Sequence, residues 1–149
     1  MTELVTYEEV EKKIINVRGQ KVILDSDIGD LYNVSTKEVN QAVNRNLDKF
    51  PTEYIIELDK TEKNELVTNC DRFEKLKHST VLPKAFTEKG LYMLATIIKS
   101  DKATETTLAI IDTFAKVREV SRIINQLPTV KENSQQQQNL MQRAGDIIS

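Results

Sequence analysis

The chain has 149 residues, 39% of them apolar and 30% charged, with a net charge of −2. That is long enough for one domain with a real core, and no apolar run approaches the roughly 18 residues that span a bilayer. A single cysteine, Cys70, excludes an internal disulfide framework, and the acidic start lacks the basic-then-apolar layout of a signal peptide. We therefore expect a cytoplasmic protein with no membrane partner.

Low Gly and Pro content favours helix. Val10, Ile14 and Ile15 fall at helical spacing, although Ile14–Val17 also suits the start of a strand. Arg18–Lys21 reads as a turn and Val22-Ile23-Leu24 as a short buried strand. Asp25–Asn46 reads as two helices with a very tight corner. Ser26 or Asp27 is a candidate cap for the first, with Ile28 and Leu31 inward. Gly29 stands where the second helix must approach, and Asn33 is a residue that accepts left-handed backbone angles cheaply. Ser35-Thr36-Lys37-Glu38 has the form of a capping box opening the second helix, whose inward face is Val39, Ala42 and Val43.

Pro51 closes this unit, and Tyr54–Leu58 is β-rich. Lys60–Thr68 suits a short helix, Asn69–Ser79 a polar, basic loop, and Thr80-Val81-Leu82 a strand pairing with Tyr54–Leu58 as a wing. Thr87 is placed to cap a helix reaching Lys99. A longer helix follows from Ala103 to Ile124, with Leu108, Ile111, Phe114, Ala115 and Val117 expected inside. Beyond Pro128 a glutamine-rich linker leads to Leu140, Ala144, Ile147 and Ile148 at helical spacing. The expected organisation is a domain at 1–124 and a linker and tail at 125–149. Its fold class is α+β, mainly helical, with a helix-turn-helix, a small β-wing and C-terminal helices.

The second helix of the corner turns outward a set of side chains suited to nucleic acid. Asn and Gln can grip adenine with two bonds and Arg can grip guanine, and such a helix lies in the major groove. Thr36, Lys37, Asn40 and Gln41 are the candidates for base contact, with Asn44 beside them and Arg45 and Lys49 for phosphates. Residues 1–65 carry nine Lys and Arg against fourteen Asp and Glu, whereas residues 66–100 carry six against three. Arg72, Lys75, Lys77 and Lys84 in this basic stretch join the candidate DNA contacts.

The run VILDSDIGDLYNVSTKEVNQAVNRNLDKFP, then YIIEL and later LPKAFTEKGLYMLATIIKS, resembles the phage open-reading-frame-six N-terminal (ORF-six-N) domain family, a relative of KilA-N and Bro-N. The resemblance covers about Val10 to Arg118. It implies a DNA-binding transcriptional regulator or antirepressor of phage or prophage. Gly29 stands where the family more often has alanine and Asn33 where glycine is usual. Asn69–Ser79 lacks the glycine-rich basic hairpin tip of the family.

Catalysis has little support. One histidine, His78, and Cys70 supply neither a triad nor a zinc site, and Asp25, Asp27 and Asp30 suit a helix N-terminus better than magnesium. We expect no enzyme activity, no metal and no cofactor. The partner expected is double-stranded DNA, read by a homodimer. The competing reading is an antirepressor that keeps the fold and grips another protein regulator.

Overall fold

The computed structural model describes residues 6–126 together with 142, 143 and 145. It divides into two compact units, Met1–Ala109 and Ile110–Ser149. The first is a four-stranded antiparallel sheet with helices on both faces; the mixed, mainly helical α+β class is as expected.

A short helix, α1 (Tyr7–Glu11), is capped by Thr6 and leads into a hairpin of β1 (Ile15–Val17) and β2 (Gln20–Leu24). Arg18 and Gly19 join them with positive φ at both positions, the requirement of the tight hairpin turn whose twist matches the strands. Strand β2 pairs on its other side with β4 (Lys84–Thr87), and β3 (Ile55–Glu57) closes the sheet in the order β1-β2-β4-β3. Central position explains the unbroken apolar run Val22-Ile23-Leu24: both faces are covered, so neither can be polar.

On one face Val17, Val22, Leu24, Ile56, Leu58 and Ala85 pack with Phe73, Leu66, Cys70 and Leu76. Those four come from α4 (Lys60–Asn69) and the segment that follows it, so this layer is an insertion between β3 and β4. Helix α4 begins with a complete capping box, Asp59 accepting from the Glu62 backbone while the Glu62 side chain accepts from the Asp59 backbone. The Arg18 guanidinium holds Glu62 at 2.8 Å and keeps its carboxyl below the usual range, tying the hairpin tip to α4.

The opposite face presents Ile23 and its cross-strand partner Phe86, both fully buried. It is covered by α2 (Asp25–Tyr32) and α5 (Glu88–Leu94), with α3 (Thr36–Asn44) packed on α2. Complete burial of an aromatic such as Phe86 is worth about 1.5–3 kcal/mol. Phe50 meets it edge-on at 6.2 Å.

Four expectations need correction. Thr80–Leu82 is not a strand: Val81 is 70% exposed, and the partner of β3 is β4 four residues later. The expected wing is therefore absent as drawn, because both strands belong to the central sheet. Asp71–His78 is a 3-10 helix rather than a loop, since Phe73 anchors it in the core. Helix α5 ends at Leu94 rather than Lys99; the Thr96 hydroxyl donates back to the Met93 carbonyl, competing with the helix ladder. Helix α6 (Ala103–Gln126) runs as expected, but its buried side is turned. Phe114 is buried as expected and Val117 is half-buried, but Leu108 is 56% and Ile111 39% exposed and Ala115 is exposed, with Thr106, Ile110, Thr113 and Ile123 buried instead.

In the second unit the Glu119 carboxylate accepts from Arg122 and Arg143, which lowers its pKa. The glutamine-rich linker and the spacing of Leu140, Ala144, Ile147 and Ile148 lie outside the described residues.

Candidate nucleic-acid interface

Strand β2 passes directly into α2. Leu24 occupies the cap position without a side-chain bond, so neither Ser26 nor Asp27 caps this helix as expected. Asp25 instead accepts from the Ser26 backbone at 2.9 Å and Asp27 serves elsewhere. At the far end Asn33 takes left-handed angles, φ 59 and ψ 44, and the Val34 N–H donates to the Gly29 carbonyl at 2.9 Å. The last carbonyls of α2 are also served: Thr106 donates to Leu31 and Ser100 to Tyr32, each at 3.0 Å.

Gly29 is required here for closeness. A Cβ on it would stand 2.7 Å from the Val34 carbonyl oxygen and 3.3 Å from the Thr36 nitrogen. Glycine at this position thus lets the start of α3 approach α2 closely. Ser35 then caps α3, accepting from the Glu38 backbone at 3.1 Å. Val39 and Val43 are buried and Ala42 is half-buried.

Six of the expected contact residues, Thr36, Lys37, Asn40, Gln41, Asn44 and Arg45, come together on α3 and its C-terminal cap. Lys37, Gln41, Asn44 and Arg45 are exposed at i, i+4, i+7 and i+8, one face of the helix. Among the described residues none of these four side chains makes a hydrogen bond or ion pair, so their donors and acceptors are available to a ligand. Thr36 is half-buried at the helix start.

Asn40 is placed differently. Its Nδ2 donates to the Asp25 carboxylate at 3.1 Å, and its Oδ1 is buried without a partner among the described residues. Lys49, on a short 3-10 turn after α3, donates to the Thr96 hydroxyl at 3.3 Å.

The basic stretch does not join α3 as one surface. Arg72 pairs with the buried Asp27 at 2.7 Å and lies 4.0 Å over the Phe73 ring. Lys13, which the sequence reading did not single out, stands 3.7 Å from the same Asp27 and 3.8 Å from Asp30. Lys75 and Lys77 are exposed on the 3-10 helix. Lys84, half-buried at the start of β4, is close enough to Asp25 to lower its pKa against the effect of burial. The aspartates therefore organise cations and amides of the fold, and among the described residues no cluster of His, Cys, Asp or Glu is arranged to hold a metal.

The sequence model of the ORF6N domain matches residues 12–97, more than half of the chain. The chain belongs to the ORF6N domain family. The matched segment holds the whole sheet and α2 to α5, so the α2–α3 corner is part of the ORF6N domain itself. The ORF6N domain is phage-associated and consistent with a regulatory role. No curated protein and no solved structure matches the chain significantly. No helix among the described residues is long and apolar enough to cross a membrane.

Proposed function

We propose that this ORF6N protein is a sequence-specific double-stranded DNA-binding regulator of phage or prophage type, reading the major groove with α3. The observation that carries the reading is the outward face of α3: Lys37, Gln41, Asn44 and Arg45 are exposed and uncommitted on the second helix of a tight corner. Gln41 and Asn44 offer paired donors and acceptors for base edges, while Lys37 and Arg45 offer charge for phosphates or guanine. The first 65 residues are net acidic, so affinity must come from a local face and not from overall charge. The protein acts as a homodimer in this reading, because two heads double a limited site. It needs no cofactor and performs no catalysis.

The test is selection from random duplex DNA with the full chain at low and near-physiological salt. An enriched motif, palindromic if the reader is a dimer, is expected. Binding that shows no enrichment and vanishes as salt rises would point instead to the protein-binding antirepressor. Gln41→Ala with Asn44→Ala should leave the melting temperature unchanged, since neither side chain is bonded among the described residues. The same pair should cost about 2–4 kcal/mol of discrimination, measured as the ratio of specific to scrambled-duplex affinity. Arg45→Ala should weaken binding to every sequence alike and reduce the slope of log K against log salt by about one.

A further inference from the structure

Helix α3 rests on the fold chiefly through two buried side chains, Val39 and Val43, with the small Ala42 half-buried beside them. Apolar contact is non-directional, so two valines fix the depth of the helix but resist rotation about its axis only weakly. A hydrogen bond is directional, and one is present on the flank of α3: Asn40 Nδ2 to Asp25 Oδ2, 3.1 Å, linking residues fifteen apart in sequence. Asp25 is nearly buried, at the junction where β2 becomes α2. It also accepts from the Ser26 backbone at 2.9 Å, and Lys84 on β4 is close enough to lower its pKa, so the sheet, α2 and α3 meet at this one carboxylate. The Asn40 amide has one permitted orientation, because turning it over would set its oxygen against the carboxylate. Gln41 and Asn44 are one and four residues further along the same helix, and their aim follows its rotation.

We propose that Asp25 is a positioning residue for the reading head: by gripping Asn40 it fixes the rotation of α3, and sequence discrimination depends on it although it touches no base. The inference rests on the reading of α3 as the DNA-reading helix. A base-reading helix must be held within about 0.5 Å and 10–20° of its productive placement, which two valines alone do not secure. The Asp25 carboxyl is itself shifted by its burial. Burial raises its carboxyl above the ordinary value, against the hydrogen bonds and the Lys84 charge that lower it. A carboxyl raised in the fold contributes stability below its unfolded value and loses that contribution as pH rises past its folded one.

The experiment compares the full-length wild type with Asp25→Ala, Asn40→Asp and the charge-preserving exchange Asp25→Asn with Asn40→Asp. It reads melting temperature and the affinity ratio between the duplex enriched for the wild type and a scrambled duplex. Asp25→Ala should melt within a few degrees of wild type, bind scrambled duplex equally well and lose roughly tenfold in the ratio, the scale of one misaligned base contact. Asn40→Asp, which faces two carboxylates, should lose as much. The exchange, which swaps amide and carboxylate across the same gap, should recover the ratio to within about threefold of wild type, one residual weakened bond. An undiminished ratio in Asp25→Ala overturns the proposal, as does a folded exchange variant no better than Asn40→Asp alone. Should Asp25→Ala fail to fold, the comparison of the exchange with Asn40→Asp decides. A wild type that enriches no motif overturns the DNA reading and this proposal with it, whereas an enriched motif that Asp25→Ala retains overturns this proposal alone.

Discussion

Gly90→Ala is expected to lower the melting temperature by roughly 10–20 °C, corresponding to about 3 kcal/mol in a domain of this size. Helix propensity alone argues the reverse, since alanine in α5 should gain about 1 kcal/mol over glycine. The geometry decides the sign. A Cβ on Gly90 would stand 2.1 Å from the Tyr54 carbonyl oxygen and 3.1 Å from its carbon, and both are backbone atoms. They have little room to yield, because the same carbonyl accepts the Thr87 N–H at 3.1 Å and the Thr87 hydroxyl at 3.0 Å. Thr87 in turn caps α5 by accepting from the Gly90 N–H. The methyl would therefore part α5 from the residue that leads into β3 or break the cap. Thermal unfolding followed by circular dichroism measures this, and a Gly90→Ala protein as stable as wild type would refute the close approach.

That contact also marks where sequence reading stops. The α2–α3 corner was legible because its signals are local: a small residue, an asparagine able to take positive φ, a serine cap and two valines at helical spacing all lie within fifteen residues. Strand β2 was legible because three apolar residues in a row have few alternatives. Strand β4 was not. Its buried pair Ala85-Phe86 sits behind Pro83 and Lys84, whereas the more β-like Thr80-Val81-Leu82 just upstream is exposed. Only pairing with β2 and β3, distant in sequence, selects the later segment. The 3-10 helix was missed for a similar reason: six of its eight residues are polar and exposed, and only Phe73 and the half-buried Leu76 carry the packing.

The candidate interface divides along the same line. Exposure of Lys37, Gln41 and Asn44 follows from helical phase, which spacing reveals. The commitments of Asn40 to Asp25 and of Arg72 to Asp27 depend on which aspartates the fold brings close, and nothing in the spacing reports that.

Arg72 offers the sharpest contrast between the two kinds of cation. Arg72→Met, which keeps the apolar stem and removes the charge, is expected to cost about 2 kcal/mol of stability, below the 3–5 kcal/mol typical of breaking a fully buried pair. Two observations set the reduction: the Arg72 side chain is 36% exposed, and Lys13 remains 3.7 Å from the same carboxylate. The loss should arise mainly from Asp27, only 5% exposed, stranded with a weaker partner. If so, Asp27→Asn in the Arg72→Met background should return most of the stability, a coupling that a double-mutant cycle in urea measures directly. Salt dependence supplies the opposite signature. An arginine already neutralised by a buried aspartate releases no counterion on binding DNA, so the slope of log K against log salt should stay at the wild-type value in Arg72→Met while it falls in Arg45→Ala. A stable Arg72→Met protein with a reduced slope would restore Arg72 to the phosphate contacts that its basic surroundings first suggested. It would also mean that the Asp27 pair opens when DNA arrives.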